Sequence, residues 1–330
     1  PVILQILPQA GADRIEIRPQ SDGGLQLAPG TTNAFPISYM ASTNLVRWTT
    51  VCGAINVEDG TLNVGAPNHA TYYRMQVPDY SDRNAHIRIP PDTDLSQPQV
   101  LIIALHGDTH LENPGTLIED ELGVWLDAEG ILSCFPSSTA SNPAQWNGGV
   151  GARASDYAYL QNLILAAREQ IPTIRWVQLM TFSQSGPTGV GLVLLRPDLV
   201  QSLVMFVGTD NTPVAAYTVA RNGGLLKSPV KTVIVTFPDD GWYSGATAAA
   251  ARLAKAQGFS GTPETLPDKL DILFDPAGLD TVVIKYGPNV ELLRTSARSH
   301  DGAQYVSDEG GWPLLYVDLP KNGKMPSEPR

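Results

Sequence analysis

The sequence predicts an α/β fold, a mostly parallel sheet wound between helices, preceded by a small all-β, sandwich-like domain. Three observations carry this. Residues 81–330 alternate apolar strand runs with amphipathic helical stretches. Within them residues 100–105 are apolar at every position, as a parallel strand covered on both faces must be. Residues 1–80 hold short β-rich runs cut by glycine and proline clusters, with no helical periodicity of useful length.

The N-terminal runs are Arg14-Ile15-Glu16-Ile17, Gly24-Leu25-Gln26-Leu27, residues 36–40 and Tyr72-Tyr73-Arg74-Met75, with turns at Ser21-Asp22-Gly23-Gly24 and Ala28-Pro29-Gly30. The pattern changes after Pro78-Asp79-Tyr80-Ser81-Asp82, which sets the boundary between an accessory domain at 1–80 and the main domain at 81–330. A chain of 330 residues suits two domains, at ~100–200 residues each. Beyond the strand at 100–105, Tyr157, Leu160, Ile164, Leu165 and Ala167 recur at helical spacing over 157–170. Strands are expected at 176–182, 202–207, 231–237 and, last, 281–286; helices are expected at 189–196 and 246–257. The tail after Pro320 is polar.

Composition excludes several classes. With 42% apolar and 17% charged residues the chain can bury a large core and is not disordered by composition. A net charge of −11 argues against a nucleic-acid partner, which needs a basic stripe to displace counterions. No apolar run reaches the ~20 residues of a membrane-spanning helix, so no membrane partner is expected. Two cysteines, Cys52 and Cys134, are too few for a disulfide framework or a multi-cysteine metal site. The chain opens on Pro1 with no charged and apolar leader, as a trimmed chain would. Low lysine content and an acidic surface fit an exported protein, so a secreted or extracytoplasmic location is expected, with a cytosolic one kept open.

The segment Leu179-Met180-Thr181-Phe182-Ser183-Gln184-Ser185-Gly186 runs a strand straight into a helix with a serine at the junction. A tight turn there lifts the hydroxyl above the carboxyl edge of the sheet, at a helix N-terminus, where a nucleophile belongs. The flanking positions must be small because backbones approach closely; here they are Thr181 and Ser185. Centring on Ser185 instead places the serine inside the first helical turn, so Ser183 is the candidate nucleophile. A serine-rich junction can equally be structural.

A serine needs a base, and in this kind of fold acid and histidine follow it in the chain. Of His69, His86, His106, His110 and His300, only His300 follows Ser183. It sits in the polar stretch Arg298-Ser299-His300-Asp301-Gly302, where the ordinary alternative is a solvated surface residue. The acid is expected past the strand between them, in Phe237-Pro238-Asp239-Asp240-Gly241, which is also turn chemistry by itself. Asp240 is the choice, with Asp239 the fallback. Such a carboxylate accepts the imidazole N–H and fixes its tautomer. Oxyanion donors are expected from the backbone N–H of Gln184 and, after the strongest strand, of Asp108 or Thr109, with Gly107 allowing the sharp turn. His106 and His110 could instead be a metal pair, but no third ligand cluster accompanies them, so no metal and no cofactor is expected.

Leu105-His106-Gly107, Trp146-Asn147-Gly148-Gly149, Asp156 opening a helix, Phe182-Ser183-Gln184, and Asp240-Gly241 before a late helix together resemble the secreted α/β-hydrolase esterases. That group includes feruloyl and acetylxylan esterases and polyhydroxybutyrate depolymerases, and the resemblance spans roughly residues 85–305. It implies an α/β-hydrolase fold and a triad of Ser183, Asp240 and His300, with Trp146 and Asn147 near the active site. Thr181 and Ser185 stand where members of that group usually have glycine, and cysteines common near the Trp-Asn pair are absent. Residues 41–48 and Tyr72-Tyr73-Arg74 resemble a small β module appended to many secreted bacterial enzymes.

The expected function is therefore a serine esterase acting on a small-molecule or polymeric ester, of plant-polysaccharide feruloyl or acetyl type, through an acyl-enzyme. His106, Trp146, Asn147, Trp242 and Trp312 are expected to bind substrate, with Tyr243 adding to an apolar wall; each aromatic is also an ordinary core residue. A polyester depolymerase is the nearest alternative. A serine peptidase of the same fold fits less well, because no propeller or large cap domain is visible. A non-catalytic binding protein on a decayed hydrolase scaffold is the alternative of another class. The N-terminal module is expected either to contact polysaccharide or to cover an edge of the larger domain.

Overall fold

The computed structural model describes residues 2–5, 15–22, 24–29, 38–42, 49–50, 62–64, 72–76, 85–107, 119–138, 146, 155–206, 226, 228–236, 243–266 and 281–295. The N-terminal strands are β1 (Val2–Gln5), β2 (Ile15–Pro19), β3 (Leu25–Pro29), β4 (Ser38–Ser42), β5 (Thr49–Thr50), β6 (Leu62–Val64) and β7 (Tyr72–Gln76). Six of these form two antiparallel three-stranded sheets, in the orders β2-β3-β6 and β5-β4-β7. Leu27 and Leu62 face each other in register and are both sealed from solvent. The first strand does not join them. β1 pairs antiparallel with β8 (His86–Ile89), so residues 2–5 lie in the large sheet.

The large sheet then takes in β9 (Gln99–Leu105). A π-turn at Glu119–Gly123 runs into α1 (Val124–Ala128), followed by β10 (Leu132–Cys134), α2 (Ser155–Gln170) and β11 (Ile174–Phe182). After a 3₁₀ turn at Ser183–Ser185 come α3 (Gly186–Leu195), β12 (Ser202–Phe206), β13 (Lys231–Thr236) and α4 (Tyr243–Ala256). The last strands are β14 (Glu264–Leu266), β15 (Thr281–Lys285) and β16 (Val290–Thr295). The ten-stranded order is β1-β8-β10-β9-β11-β12-β13-β16-β15-β14, with the six strands from β10 to β16 parallel and both edges antiparallel.

One expectation changes here. Residues 281–286 were expected to be the last strand, but the strand that lies parallel to β13 is β16, and β15 is only its antiparallel hairpin partner. The charges that hide β16 from an apolar pattern have a cross-strand use: Lys285 Nζ and Glu291 Oε1, opposite in register, lie 3.3 Å apart.

Why residues 100–105 of β9 read apolar at every position is visible in their packing. Leu101, Ile103 and Leu105 join one core cluster with α2, α3 and α4, while Val100, Ile102 and Ala104 join a second cluster with Leu122 and Leu126 of the 119–128 segment. Each fully buried Leu or Ile contributes roughly 1.5–3 kcal/mol, so this strand anchors both layers. Cys134 of β10 is buried, and burial pushes its thiol up to about 12, which leaves it neutral and inert. Cys52 lies outside the described residues. Among those described, no helix is long and apolar enough to cross a membrane.

Candidate active site

Topology selects the place. The connection from β9 to β10 passes through the helical segment 119–128 on one face, and the connection from β11 to β12 passes through α3 on the other. Right-handed crossovers leaving neighbouring strands in opposite directions open a crevice between their carboxyl ends, and ligands of wound sheets bind there. The residues at those two ends are His106-Gly107 and Ser183.

Ser183 sits at the turn with φ +51°, in the left-handed region that a serine adopts only under constraint, at about 1–2 kcal/mol. Phe182 before it is extended and Gly186 after it is already helical, so the chain reverses within four residues. Gly107 lies directly against this turn. A Cβ on Gly107 would stand 3.3 Å from both the Phe182 carbonyl oxygen and the Ser183 Cβ, so any larger residue would press on the nucleophile.

The two flanks that sequence marks as departures each have a compensation. Thr181 Cγ2 occupies the space that a side chain on Gly189 of α3 would need, so only a glycine fits on the helix where it packs against this strand residue. Ser185 is fully buried, while Ser183 is partly exposed, so solvent reaches the second of these serines and not the first. The Ser185 hydroxyl accepts the Phe182 N–H at 2.8 Å and lies 3.1 Å from the Leu105 carbonyl and 2.9 Å from that of Phe182.

Gln184 clamps a neighbouring segment. Its Oε1 accepts the Trp146 N–H at 3.0 Å and its Nε2 donates to the Trp146 carbonyl at 2.6 Å. The Trp146 ring is packed between His106, 5.2 Å between centroids, and Tyr159, 6.5 Å. His106 Nε2 accepts the Ser138 N–H at 3.1 Å, which leaves the proton on Nδ1 to donate to the Gly107 carbonyl at 2.6 Å. With both ring nitrogens so engaged, His106 holds the loop after β9 and has no lone pair for a metal.

Among the residues expected at the site, the structure brings Ser183, Gln184, His106 and Trp146 together at the carboxyl ends of β9 and β11. His106 and Trp146, expected to bind substrate, are 0% and 1% exposed and pack on each other next to the turn. Asp108, Thr109, His110, Asn147, Asp239, Asp240, Trp242, His300 and Trp312 lie outside the described residues, as does the structure's account of Tyr243's side chain. Sequence reasoning missed the Gln184 clamp, the Ser185 bonds and the close approach of Gly189 to Thr181. Only the last left a signal, a glycine eight residues after Thr181, in the first turn of α3.

The chain matches no family model and no curated protein. Among solved structures it is similar to an acetyl xylan esterase from Aspergillus awamori, at 13% identity and TM-score 0.52, over 71% of this chain and 97% of that one. It is also similar to Thermogutta terrifontis esterase 2 phosphonylated by sarin, at 10% identity and TM-score 0.45, over 72% and 91% of the two chains. A ferulic acid esterase matches at 9% identity and TM-score 0.39, over 53% and 80%. The sheet topology and the first of these likenesses make the fold that of the α/β-hydrolases.

Proposed function

We propose that the chain is a serine esterase that hydrolyses carboxylic esters through an acyl-enzyme on Ser183, with His300 as base and Asp240 as its orienting acid. The observation that carries this is the left-handed, partly exposed Ser183 at a strand-to-helix turn on the switch point of a wound sheet. Chain reach supports the other two. β11, β13 and β16 are parallel neighbours or next neighbours, so their carboxyl ends share one edge. Asp240 follows Thr236 by four residues and His300 follows Thr295 by five. Three strand spacings separate β11 from β16, about 14 Å, and five extended residues reach about 17 Å.

In this reading the Ser183 hydroxyl attacks the ester carbonyl as His300 takes its proton, and that proton then leaves with the departing alcohol. Water, deprotonated by the same imidazole, releases the acid from the acyl-serine. Asp240 accepts the other imidazole N–H and stabilises the imidazolium. The backbone N–H of Gln184 and that of Asp108 or Thr109 receive the oxyanion, each worth roughly 10²–10³ in rate. The steps need no cofactor or metal.

The substrate class proposed is an acetyl or feruloyl ester on plant polysaccharide, acted on outside the cytoplasm. Asn147, Trp242 and Trp312 provide the contacts, and the two small N-terminal sheets touch the polymer. The fold shared with an acetyl xylan esterase supports the class.

The test is turnover of a short-acyl p-nitrophenyl ester. Ser183→Ala, Asp240→Asn and His300→Ala should each lower it at least ~10³-fold with unchanged circular dichroism. Wild-type activity should decline below about pH 6 as imidazole protonates. Undiminished turnover in His300→Ala contradicts the assignment of the base.

A further inference from the structure

We propose that Ser185 is a positioning residue whose buried hydroxyl locks the nucleophile turn to the end of β9, so that Ser183 and the backbone after Gly107 move as one body. The inference rests on the esterase reading for its kinetic consequence and on geometry for the lock itself. The parallel ladder between β11 and β9 ends at the pair Thr181 and Leu105. One residue further, Phe182 continues in register with β12 alone, and the chain then turns at Ser183. The ladder therefore stops where the site begins.

The Ser185 hydroxyl spans that gap. It accepts from the Phe182 N–H at 2.8 Å and lies within bonding distance of the Leu105 carbonyl at 3.1 Å, so it replaces the next rung with a side chain. Its single proton is shared between that carbonyl and the one on Phe182 at 2.9 Å. Phe182 immediately precedes the nucleophile and Leu105 stands two residues before Gly107, whose Cα side faces Ser183. No water competes for these bonds, since Ser185 is fully buried. The space requirement of the tight turn is met by any small residue; only a hydroxyl also ties the two backbones. Glycine at 185 keeps the shape and removes the tie, so the Phe182 N–H loses its bond to the Ser185 hydroxyl.

Ser185→Gly should be harmful even though glycine suits such a turn. In the full chain, Ser185→Gly and Ser185→Ala should lower kcat on the p-nitrophenyl ester at least about tenfold with KM within about twofold, because the error is in placement at the transition state. Amide hydrogen exchange at Phe182 should quicken at least about tenfold, while exchange at Met180 stays unchanged. In the wild type the Phe182 amide should exchange as slowly as the interior of β11, which keeps the lock testable if a variant does not fold. A kcat within twofold of wild type in either folded variant overturns the positioning role, as does a loss confined to thermal stability. Fast exchange at Phe182 in the wild type overturns the lock itself. An inactive wild type, by contrast, defeats the esterase reading alone, with the exchange result still deciding the lock.

Discussion

The turn around Ser183 and the sheet edge around Arg88 are both polar places on one sheet, and they use polarity in opposite ways. At the edge, charges hold each other. Arg88 of β8 donates from Nε and Nη2 to Asp127 Oδ2, at 2.9 and 2.7 Å, and from Nη1 to Glu119 Oε1 at 3.2 Å, where His86 Nε2 also stands at 3.1 Å. These bonds, that to Asp127 first, hold the guanidinium above its ordinary pKa and fasten the 119–128 segment over a short antiparallel strand. At the turn, neutral side chains hold backbone: Gln184 grips both polar groups of Trp146, and Ser185 grips Phe182 and Leu105. The edge is built for attachment and the turn for position. Damage at the turn should therefore appear in rate, and damage at the edge in stability.

Outside the proposed triad, the largest effect expected is at Gly189. Alanine there collides with Thr181 Cγ2, and the shifted turn should lose roughly 10²-fold in kcat. Adding Thr181→Gly should recover most of it, with a double-mutant coupling of about 1–2 kcal/mol in unfolding free energy. Additive losses would contradict the steric contact between Thr181 and position 189 as the cause. Next is Gln184→Glu, nearly the same shape but with an acceptor set against the Trp146 carbonyl. Its kcat should fall about tenfold while stability changes by no more than ~1 kcal/mol. Smallest in rate is Asp127→Asn, which removes the charge facing Arg88 Nη2 and leaves Glu119 as its anionic partner among the described residues. Its unfolding midpoint in urea should show a loss of about 1–2 kcal/mol, discounted for the partial exposure of the pair, with kcat within twofold. A rate defect in that variant would erase the contrast between the two regions.

Much of the sheet was legible because its central strands are nearly pure apolar runs. β9, β11, β12 and β13 fall within one or two residues of the sequence reading, as does α2. Short strands carrying charge were not: β8 alternates His86 and Arg88 with isoleucines, and β10 is three residues long. β16 was hidden by Glu291 and Arg294, although Tyr286-Gly287-Pro288-Asn289 before it is hairpin-turn chemistry. Helix α3 begins at Gly186 rather than 189, because Pro187 is a first-turn residue there and not a breaker.

The site was legible at Ser183, where a strand meets a helix. What surrounds it was not. Thr181 and Ser185 look like departures from a tight-turn pattern until Gly189 and the Leu105 carbonyl are seen beside them, and Leu105 is remote in the chain. Sequence places Trp146 and His106 near the turn but does not show that both are buried there.

The most direct test of the central claim is a fluorophosphonate reaction on the folded chain, read by intact mass and peptide mapping. One equivalent of adduct on Ser183, lost in Ser183→Ala and retained in Asp127→Asn, is the predicted result. Folded protein that takes up no adduct, or carries it on any other serine, contradicts the account.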